Sequence, residues 1–190
     1  MGNTKERIMT AGAELFRRNG YTGTGLKQIV AEANAPFGSL YHFFPGGKEQ
    51  LGEEVIRTSG MAYIALIDEL IAPAPDAITG IETFFTAAAE MLVETGYADA
   101  CPIATVALEV ASTNEQLRIA TSDVFTAWID AGTRAFEHLG LPEADARKLT
   151  FAVINALEGA FVLCRAMRDT EPMAAASASC VAYATTLLGT

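Results

Sequence analysis

Apolar residues recur at helical spacing along almost the whole chain, and proline and glycine interrupt the pattern at intervals. One face of the first such segment carries the apolar side chains of Ile8, Ala11, Leu15 and Phe16. Interruptions follow at Gly20, at 45–47 and at 73–76, where glycine or proline ends a helical pattern. No segment alternates convincingly with the two-residue period of a strand. The sequence therefore predicts an all-α fold.

The punctuation predicts nine helices, the first of which ends at Gly20. The other eight are expected near 26–33, 36–44, 48–71, 77–95, 103–111, 114–139, 143–168 and 172–188. Thr24 and Asp76 are candidate N-caps, because their side-chain oxygens can accept a hydrogen bond from a free N–H of the first turn. Asn34 suits a left-handed C-cap, and Pro36 suits the first turn of the third helix.

The distribution of charge matters more than the net charge of −10. Residues 1–60 carry seven basic and six acidic side chains, whereas the rest of the chain carries six basic and seventeen acidic ones. An acidic body that phosphate repels can still orient the N-terminal end toward DNA. The negative total therefore does not exclude a DNA-binding protein.

Length, composition and cysteine usage bound the remaining classes. With 190 residues and 51% apolar content, the chain can bury a core in one or two compact units. Neither a run of eighteen apolar residues nor a signal-peptide pattern is present, which predicts a cytoplasmic protein with no membrane partner. Cys101, Cys164 and Cys180 are odd in number and widely spaced. We therefore expect no disulfide framework, no metal site and no cofactor.

A helix-turn-helix motif is predicted within 24–51, TGLKQIVAEANAPFGSLYHFFPGGKEQL. Two short helices separated by three residues can place the second helix in the major groove. Gly38 would let that helix approach DNA closely, and the Ser39 hydroxyl could bond a base edge or a phosphate. The other candidate contacts can bond phosphate oxygens, and they are Lys27, Tyr41, His42 and Lys48. Leu40 and Phe44 share a face and are expected in the core.

Two segments resemble the TetR family of repressors. The stretch FGSLYHFFPGGKEQL is similar to the end of that family's DNA-binding domain, and ERIMTAGAELFRRNGYTGTGLKQIVAEA is similar to its first two helices. The two-glycine turn before Lys48, with Cys101-Pro102-Ile103-Ala104 and Ala107-Leu108-Glu109, resembles the LmrA/YxaF-type branch. The resemblance implies a homodimeric repressor. A three-helix domain, residues 1–47, would bind double-stranded operator DNA, and a helical domain, residues 48–190, would bind an effector and dimerise.

Two positions of the motif depart from the family pattern. Phe37 stands where the family often has a basic residue, and Pro36 stands where it often has a serine that caps the third helix and touches phosphate. Both changes remove candidate phosphate contacts. The affinity for DNA would then depend more on Lys27, Lys48, Tyr41 and His42. Alternatively, Phe37 would make an apolar contact with a base.

The resemblance also implies an effector pocket among the helices at 48–168. The candidate effector-binding residues are Met61, Phe84, Met91, Glu109, Phe125, Trp128, Asn155, Glu158, Phe161 and Cys164. Each apolar member could equally be ordinary core, and Glu158 could meet a cationic ligand or bond a neighbouring helix. An aromatic and sulfur-bearing lining suits a small apolar or amphipathic effector. The last two helices, with small residues such as Gly159, Ala160 and Ala178, are the expected dimer surface.

Three functions remain open at this point. The first is a ligand-responsive DNA-binding repressor, which the motif and the resemblance favour. The second is a small helical enzyme that uses Cys101 or Glu158, although no nucleophile, base and orienting group are recognisable together. The third is a helical binding protein that keeps the fold but has lost its operator. We expect a repressor and no enzyme.

Overall fold

The computed structural model describes residues 3–99 and 101–189, and in these ranges it consists of nine α-helices with no strand. The helices are α1 (Thr4–Asn19), α2 (Leu26–Glu32), α3 (Phe37–Phe43), α4 (Gly47–Leu70), α5 (Ala77–Glu94), α6 (Pro102–Val110), α7 (Glu115–His138), α8 (Glu143–Met167) and α9 (Glu171–Leu188). The all-α prediction is confirmed, and the bounds lie within a residue or two of those expected from periodicity.

Two predicted helix ends are wrong in detail. Gly25, not Thr24, is the N-cap of α2. The Thr24 hydroxyl is instead buried and donates to the carbonyl oxygens of Gly20, at 2.7 Å, and Leu15, at 3.2 Å. It therefore satisfies carbonyls at the C-terminal end of α1 rather than N–H groups at the start of α2. Pro36 is the N-cap of α3 and precedes its first turn.

Of two other predicted caps, Asp76 is confirmed as the N-cap of α5, whereas the C-cap of α2 is Ala33 and Asn34 follows it. Asn34 adopts a positive φ of 46° after α2, in the left-handed region that asparagine tolerates. The Asp76 carboxylate accepts a 2.7 Å hydrogen bond from the Thr79 N–H at the start of α5. The bond from the Thr79 N–H lowers the pKa of Asp76, because it favours the charged form of the carboxylate. Short polar residues beside a helix boundary were thus sufficient to locate both ends.

The chain packs into two compact units. The first combines Met1–Met61 with Cys101–Phe125, and the second combines Ala62–Ala100 with Thr126–Thr190. The chain passes from the first unit to the second within α4, returns to the first at Cys101, and passes to the second again within α7. This division groups residues by packing. The boundary at residue 47 divides the chain by role, and it stays a prediction.

In the first unit, α1 packs against α2, α3 and α6. The core of this unit includes the fully buried side chains of Ile8, Phe16, Ile29, Leu40, Phe44, Leu51 and Ile56. Burial of one such side chain stabilises a fold by about 1.5–3 kcal/mol. Leu40 and Phe44 are both 0% exposed, as predicted for core residues. One face of α3 is therefore anchored in the core, and the opposite face is left to solvent.

In the second unit, α8 packs on α9, and α5 packs on both. Phe85, Leu92 and Phe136 are buried in its core together with Cys164. Ala160, expected on the dimer surface, is 3% exposed and belongs to this core instead. It lies on the side of α8 that faces the chain's own helices.

A second face of α8 is apolar and open to solvent. Its large exposed side chains are Phe151, Val162, Leu163 and Met167, which are between 42% and 67% exposed. Within the described residues, α8 is also the one helix long and apolar enough to cross a membrane, with 33% of its most apolar window buried. That criterion alone is weak evidence for a membrane helix, because packed helices of soluble proteins also meet it. Exposed apolar patches of this kind often mark interaction sites.

Candidate DNA-binding site

The solvent-facing side of α3 brings four of the predicted contact residues together. Phe37, Gly38, Tyr41 and His42 are all exposed, and Phe37 and Tyr41 are 43% and 50% exposed. The two rings meet edge to face with centroids 5.8 Å apart. Positions i, i+1, i+4 and i+5 of a helix share one face, so these side chains form a single exposed patch. We call these four residues the α3 face.

Gly38 has open space where a side chain would stand. A Cβ built at this position has no neighbouring atom within 4 Å. Glycine in a helix costs about 0.5–1 kcal/mol relative to alanine, so the site lacks a packing reason for glycine. Close approach of another molecule to the backbone is one reason that remains.

One side chain of α1 that the sequence pattern does not single out ties this helix to the helix-turn-helix motif. Arg7 of α1 donates from Nε to the carbonyl oxygen of Ala33, at 3.0 Å, and from a terminal nitrogen to that of Asn34, at 3.3 Å. A guanidinium at the C-terminal end of α2 donates hydrogen bonds to free carbonyls and interacts favourably with the negative end of the helix dipole. Arg7 therefore holds the turn between α2 and α3. An arginine seven residues into the chain carries no signal of such a long-range contact.

Lys48 lies in the first turn of α4, as the sequence predicts, but it is not a freely solvated cation. Its ammonium lies 4.4 Å from the centroid of the Tyr21 ring. Burial lowers the pKa of Lys48, and the negative charge of Glu109 acts in the opposite direction. The sequence pattern does not single out Tyr21 as a partner of Lys48. The one feature that could have drawn attention to Tyr21 is that it directly follows Gly20, the glycine that ends α1.

The remaining predicted DNA contacts lie beside the α3 face. Lys27 is exposed on α2, and Ser39 is half-buried on α3. Lys5, another cation of this unit, is paired with Glu54 at 2.8 Å and lies 5.4 Å from the Phe44 ring centroid. Lys27 and Lys48 are the lysines nearest in sequence to the α3 face. The DNA-binding role of these residues stays a prediction.

The predicted effector-binding residues divide between the two units. Phe84, Met91, Trp128, Asn155, Glu158, Phe161 and Cys164 belong to the second unit, and Met61, Glu109 and Phe125 belong to the first. Trp128 is 8% exposed, and its ring centroid lies 5.7 Å from that of Tyr63, a residue that the sequence pattern does not single out. Phe161 and Cys164 are buried on one side of α8, as their spacing predicts.

Three of the predicted effector-binding residues do not lie where the lining of a buried pocket would place them. Met61 is 59% exposed on α4, and Asn155 is exposed on α8. Glu109 of α6 accepts a 2.7 Å hydrogen bond at Oε2 from the backbone N–H of Thr22. Its carboxylate is thus engaged with the turn that follows α1. The sequence offers no sign of this contact, because 87 residues separate the two partners.

Comparison with known proteins identifies the two halves of the chain separately. Residues 8–55 match the model of the bacterial regulatory proteins of the tetR family. Residues 77–179 match the model of the C-terminal domain of LmrA/YxaF-like transcriptional regulators. The first match contains the α3 face and Lys48, and the second covers most of α5 to α9.

Full-length relatives and solved structures agree with these matches. The chain is 33% identical over 172 residues to the HTH-type transcriptional regulator YxaF of Bacillus subtilis (strain 168), covering 90% of each protein. It is 31% identical to the HTH-type transcriptional regulator LmrA of the same organism, covering 90% of this chain and 92% of that protein. A solved TetR transcriptional regulator from Legionella pneumophila has the same fold, with a TM-score of 0.82, 23% identity and coverage of 95% and 96%.

Proposed function

The chain belongs to the TetR family of transcriptional regulators, with an LmrA/YxaF-like C-terminal domain, and we propose that it is a repressor that a small apolar or amphipathic effector releases from its operator. The family consists of DNA-binding regulators rather than enzymes. In the two other cysteines, which the enzyme alternative did not invoke, burial raises the pKa of the Cys164 thiol and raises that of Cys180 to about 11, so the reactive thiolate is disfavoured at both. A repressor of this kind works in the cytoplasm, where its operator is.

The α3 face is the observation that carries the DNA-binding proposal. A soluble helix normally exposes charged side chains, and α3 instead exposes two aromatic rings, a histidine and an unhindered glycine. Aromatic rings can pack on thymine methyl groups, and tyrosine and histidine can bond phosphate oxygens. In this arrangement Tyr41 and Phe37 would contact bases, and Lys48 and Lys27 would contact the backbone.

The test is binding to the DNA upstream of the chain's own gene. If the protein neutralises on the order of 6–10 phosphates, affinity falls about 10³–10⁵-fold between about 50 and 200 mM salt. Lys48→Ala should flatten the salt dependence by about one phosphate contact with little change in sequence preference. Lys148→Ala is the matched control, because Lys148 is an exposed lysine on α8 that pairs with Asp145.

Tyr41→Ala should have the opposite signature. It should weaken binding to the upstream duplex more than binding to an unrelated duplex, because base contacts carry the specificity. If neither Lys48→Ala nor Tyr41→Ala changes DNA affinity, the α3 face is not the DNA-binding surface. If the wild-type protein does not prefer the upstream duplex, the repressor proposal loses its support at this operator.

The exposed apolar face of α8 supports the homodimer part of the proposal. Phe151, Val162 and Leu163 would be covered by the same face of a second copy, with Ala178 of α9 allowing close approach. A two-fold dimer presents two recognition helices roughly 34–36 Å apart, or a multiple of that distance. A near-palindromic operator is the expected consequence.

The contact between Trp128 and Tyr63 supports an effector site in the second unit. Trp128 is the single tryptophan of the chain, so a ligand beside it should change the intrinsic fluorescence. Helix α4 carries both Tyr63 and Lys48, and a ligand that displaces Tyr63 would move α4. Coupling of about 1–3 kcal/mol would lower operator affinity roughly 5–150-fold.

A panel of lipophilic compounds, titrated against the protein alone and against its DNA complex, tests this proposal. The expected hit quenches Trp128 and releases DNA, and Trp128→Phe serves as the control for the fluorescence signal. A compound that quenches Trp128 and leaves DNA affinity unchanged would contradict transmission through α4. A panel without any binder would contradict an apolar effector.

A further inference from the structure

Glu109 lies on α6, outside the helix-turn-helix, and yet its side chain is built into the turn that leads to the motif. Its Oε2 accepts the Thr22 N–H at 2.7 Å. A bond from a backbone N–H to a carboxylate is about twice as strong as one between neutral groups. The turn between α1 and α2 is therefore attached to α6 by a charge-assisted bond.

The turn has a shape that accommodates the carboxylate. Gly20 has a φ of +75°, which favours glycine, and a Cβ at this position would lie 1.8 Å from Oε1 of Glu109. The carboxylate thus occupies the space that a side chain would take. It also lies beside the C-terminal end of α1, where the helix dipole disfavours an anion. The bond from Thr22 and a nearby cation offset that cost.

The nearby cation is Lys48. Its ammonium lies over the ring of Tyr21, the residue between Gly20 and Thr22, and the charge of Glu109 raises its pKa against the effect of burial. The negative charge of Glu109 thus favours the charged form of Lys48. The same turn continues to Thr24, whose hydroxyl ties the end of α1 to the start of the motif. The Glu109 carboxylate therefore bonds the turn and also acts electrostatically on Lys48.

We infer that Glu109 is a positioning residue for operator recognition: it fixes the turn at 20–22, and thereby the orientation of the α3 face, through its bond to Thr22 and its charge beside Lys48. This inference rests on the proposed DNA-binding function. Specific binding requires α3 in one orientation, whereas non-specific binding depends mainly on charge. Loss of Glu109 should therefore reduce the preference for the operator over unrelated DNA.

The experiment compares Glu109→Ala and Glu109→Gln with Glu90→Ala, which removes an exposed acid from α5 and changes the net charge equally. Each protein is titrated at one salt concentration with the upstream duplex and with an unrelated duplex of equal length. Glu109→Ala should lower the ratio of the two affinities by about tenfold or more, given the strength of hydrogen bonds to charged groups. Binding to the unrelated duplex should be unchanged or tighter.

Glu109→Gln keeps an oxygen that can accept the Thr22 N–H, and it should recover part of the lost ratio. Hydrogen exchange of the Thr22 amide should be faster in Glu109→Ala than in the wild type. If Glu109→Ala does not fold, Glu109→Gln carries the test alone, with a severalfold lower ratio than Glu90→Ala.

Two outcomes would overturn the inference. A ratio that is the same in the Glu109 variants as in Glu90→Ala would show that the residue acts by bulk charge alone, while the proposed function stands. A wild-type protein that binds both duplexes equally would contradict the proposed function and remove the basis of the inference with it.

Discussion

At the scale of single residues, Gly60 shows how closely two helices of the first unit approach. A Cβ on Gly60 of α4 would lie 2.3 Å from Cγ1 of Val124 on α7. Gly60→Ala should destabilise the protein by about 1–3 kcal/mol through overpacking, and the better helix propensity of alanine offsets only about 0.5–1 kcal/mol. Urea denaturation measures the difference. Val124→Ala in the same chain should restore most of the loss, and a variant that stays destabilised would point to another cause.

Gly38 is the opposite case to Gly60, because a side chain at Gly38 would meet no neighbouring atom. Gly38→Ala should leave the stability unchanged or raise it by about 0.5–1 kcal/mol. The same substitution should weaken operator binding about tenfold, since the methyl group would stand between α3 and the DNA, a contact with the magnitude of one base readout. Thermal denaturation and a DNA titration separate the two effects. Unchanged operator affinity would mean that the backbone at Gly38 does not approach DNA.

At the scale of elements, a row of polar contacts joins the N-terminal half of α4 to α7 and to Asn114, the residue directly before α7. The contacts are Asn114 to Glu49 at 2.7 Å, Gln116 to Glu53 at 2.5 Å, and Arg57 to Asp123 at 2.8 Å, with Arg57 also bonding Glu53 at 3.1 Å. Successive contacts lie about one helical turn apart along α4, and we call this row the α4–α7 polar seam. These bonds join the half of α4 that carries Lys48 to α7.

The polar seam should make stability depend on pH. The pKa of Glu53 is lowered, first by the hydrogen bond from Gln116 and then by that from Arg57. A carboxylate with a lowered folded pKa stabilises the fold above its ordinary pKa, which is 4.5, and this stabilisation is lost as pH falls through the folded value. Glu53→Gln should therefore be less stable than the wild type at pH 7, and the difference should shrink below pH about 4.5.

Denaturant titrations at a series of pH values check this prediction. Glu82→Gln, which removes an exposed acid from α5, is the control. A difference between Glu53→Gln and the wild type that stays constant from pH 7 into the acid range would show that the ionised carboxylate of Glu53 contributes nothing through its charge.

At the scale of the whole molecule, the exposed apolar face of α8 is the proposed dimer interface. Val162→Glu should place an unpaired carboxylate in the proposed dimer interface, where a buried charge without a partner costs several kcal/mol. Sedimentation should then show a monomer, and operator affinity should fall because the two half-sites are no longer read together. Val93→Glu is the matched control, since Val93 is 55% exposed on α5 and Val162 is 67% exposed. A stable Val162→Glu dimer would remove this face from consideration.

Much of the fold and of the candidate site follows from local sequence. Helical periodicity, proline and glycine located the nine helices of the described residues, because these signals depend on residues within a few positions of one another. The same holds for the α3 face: Phe37 and Tyr41 are four residues apart and must share a side of one helix. Asn34 and Asp76 mark helix ends for the same local reason.

The contacts that tie helices together were decided by the tertiary structure alone. Glu109 was a candidate effector-binding residue on the strength of the family resemblance, and only packing brings it to Thr22, 87 residues away. Thr24 likewise looked like an N-cap until the end of α1 offered its hydroxyl two buried acceptors. A polar side chain bonds whichever complementary group the fold brings nearest, and that choice depends on residues distant in sequence. The sequence by itself thus determined which helices form and which face of α3 is exposed, whereas the partners of Glu109, Lys48 and Thr24 depended on how those helices pack.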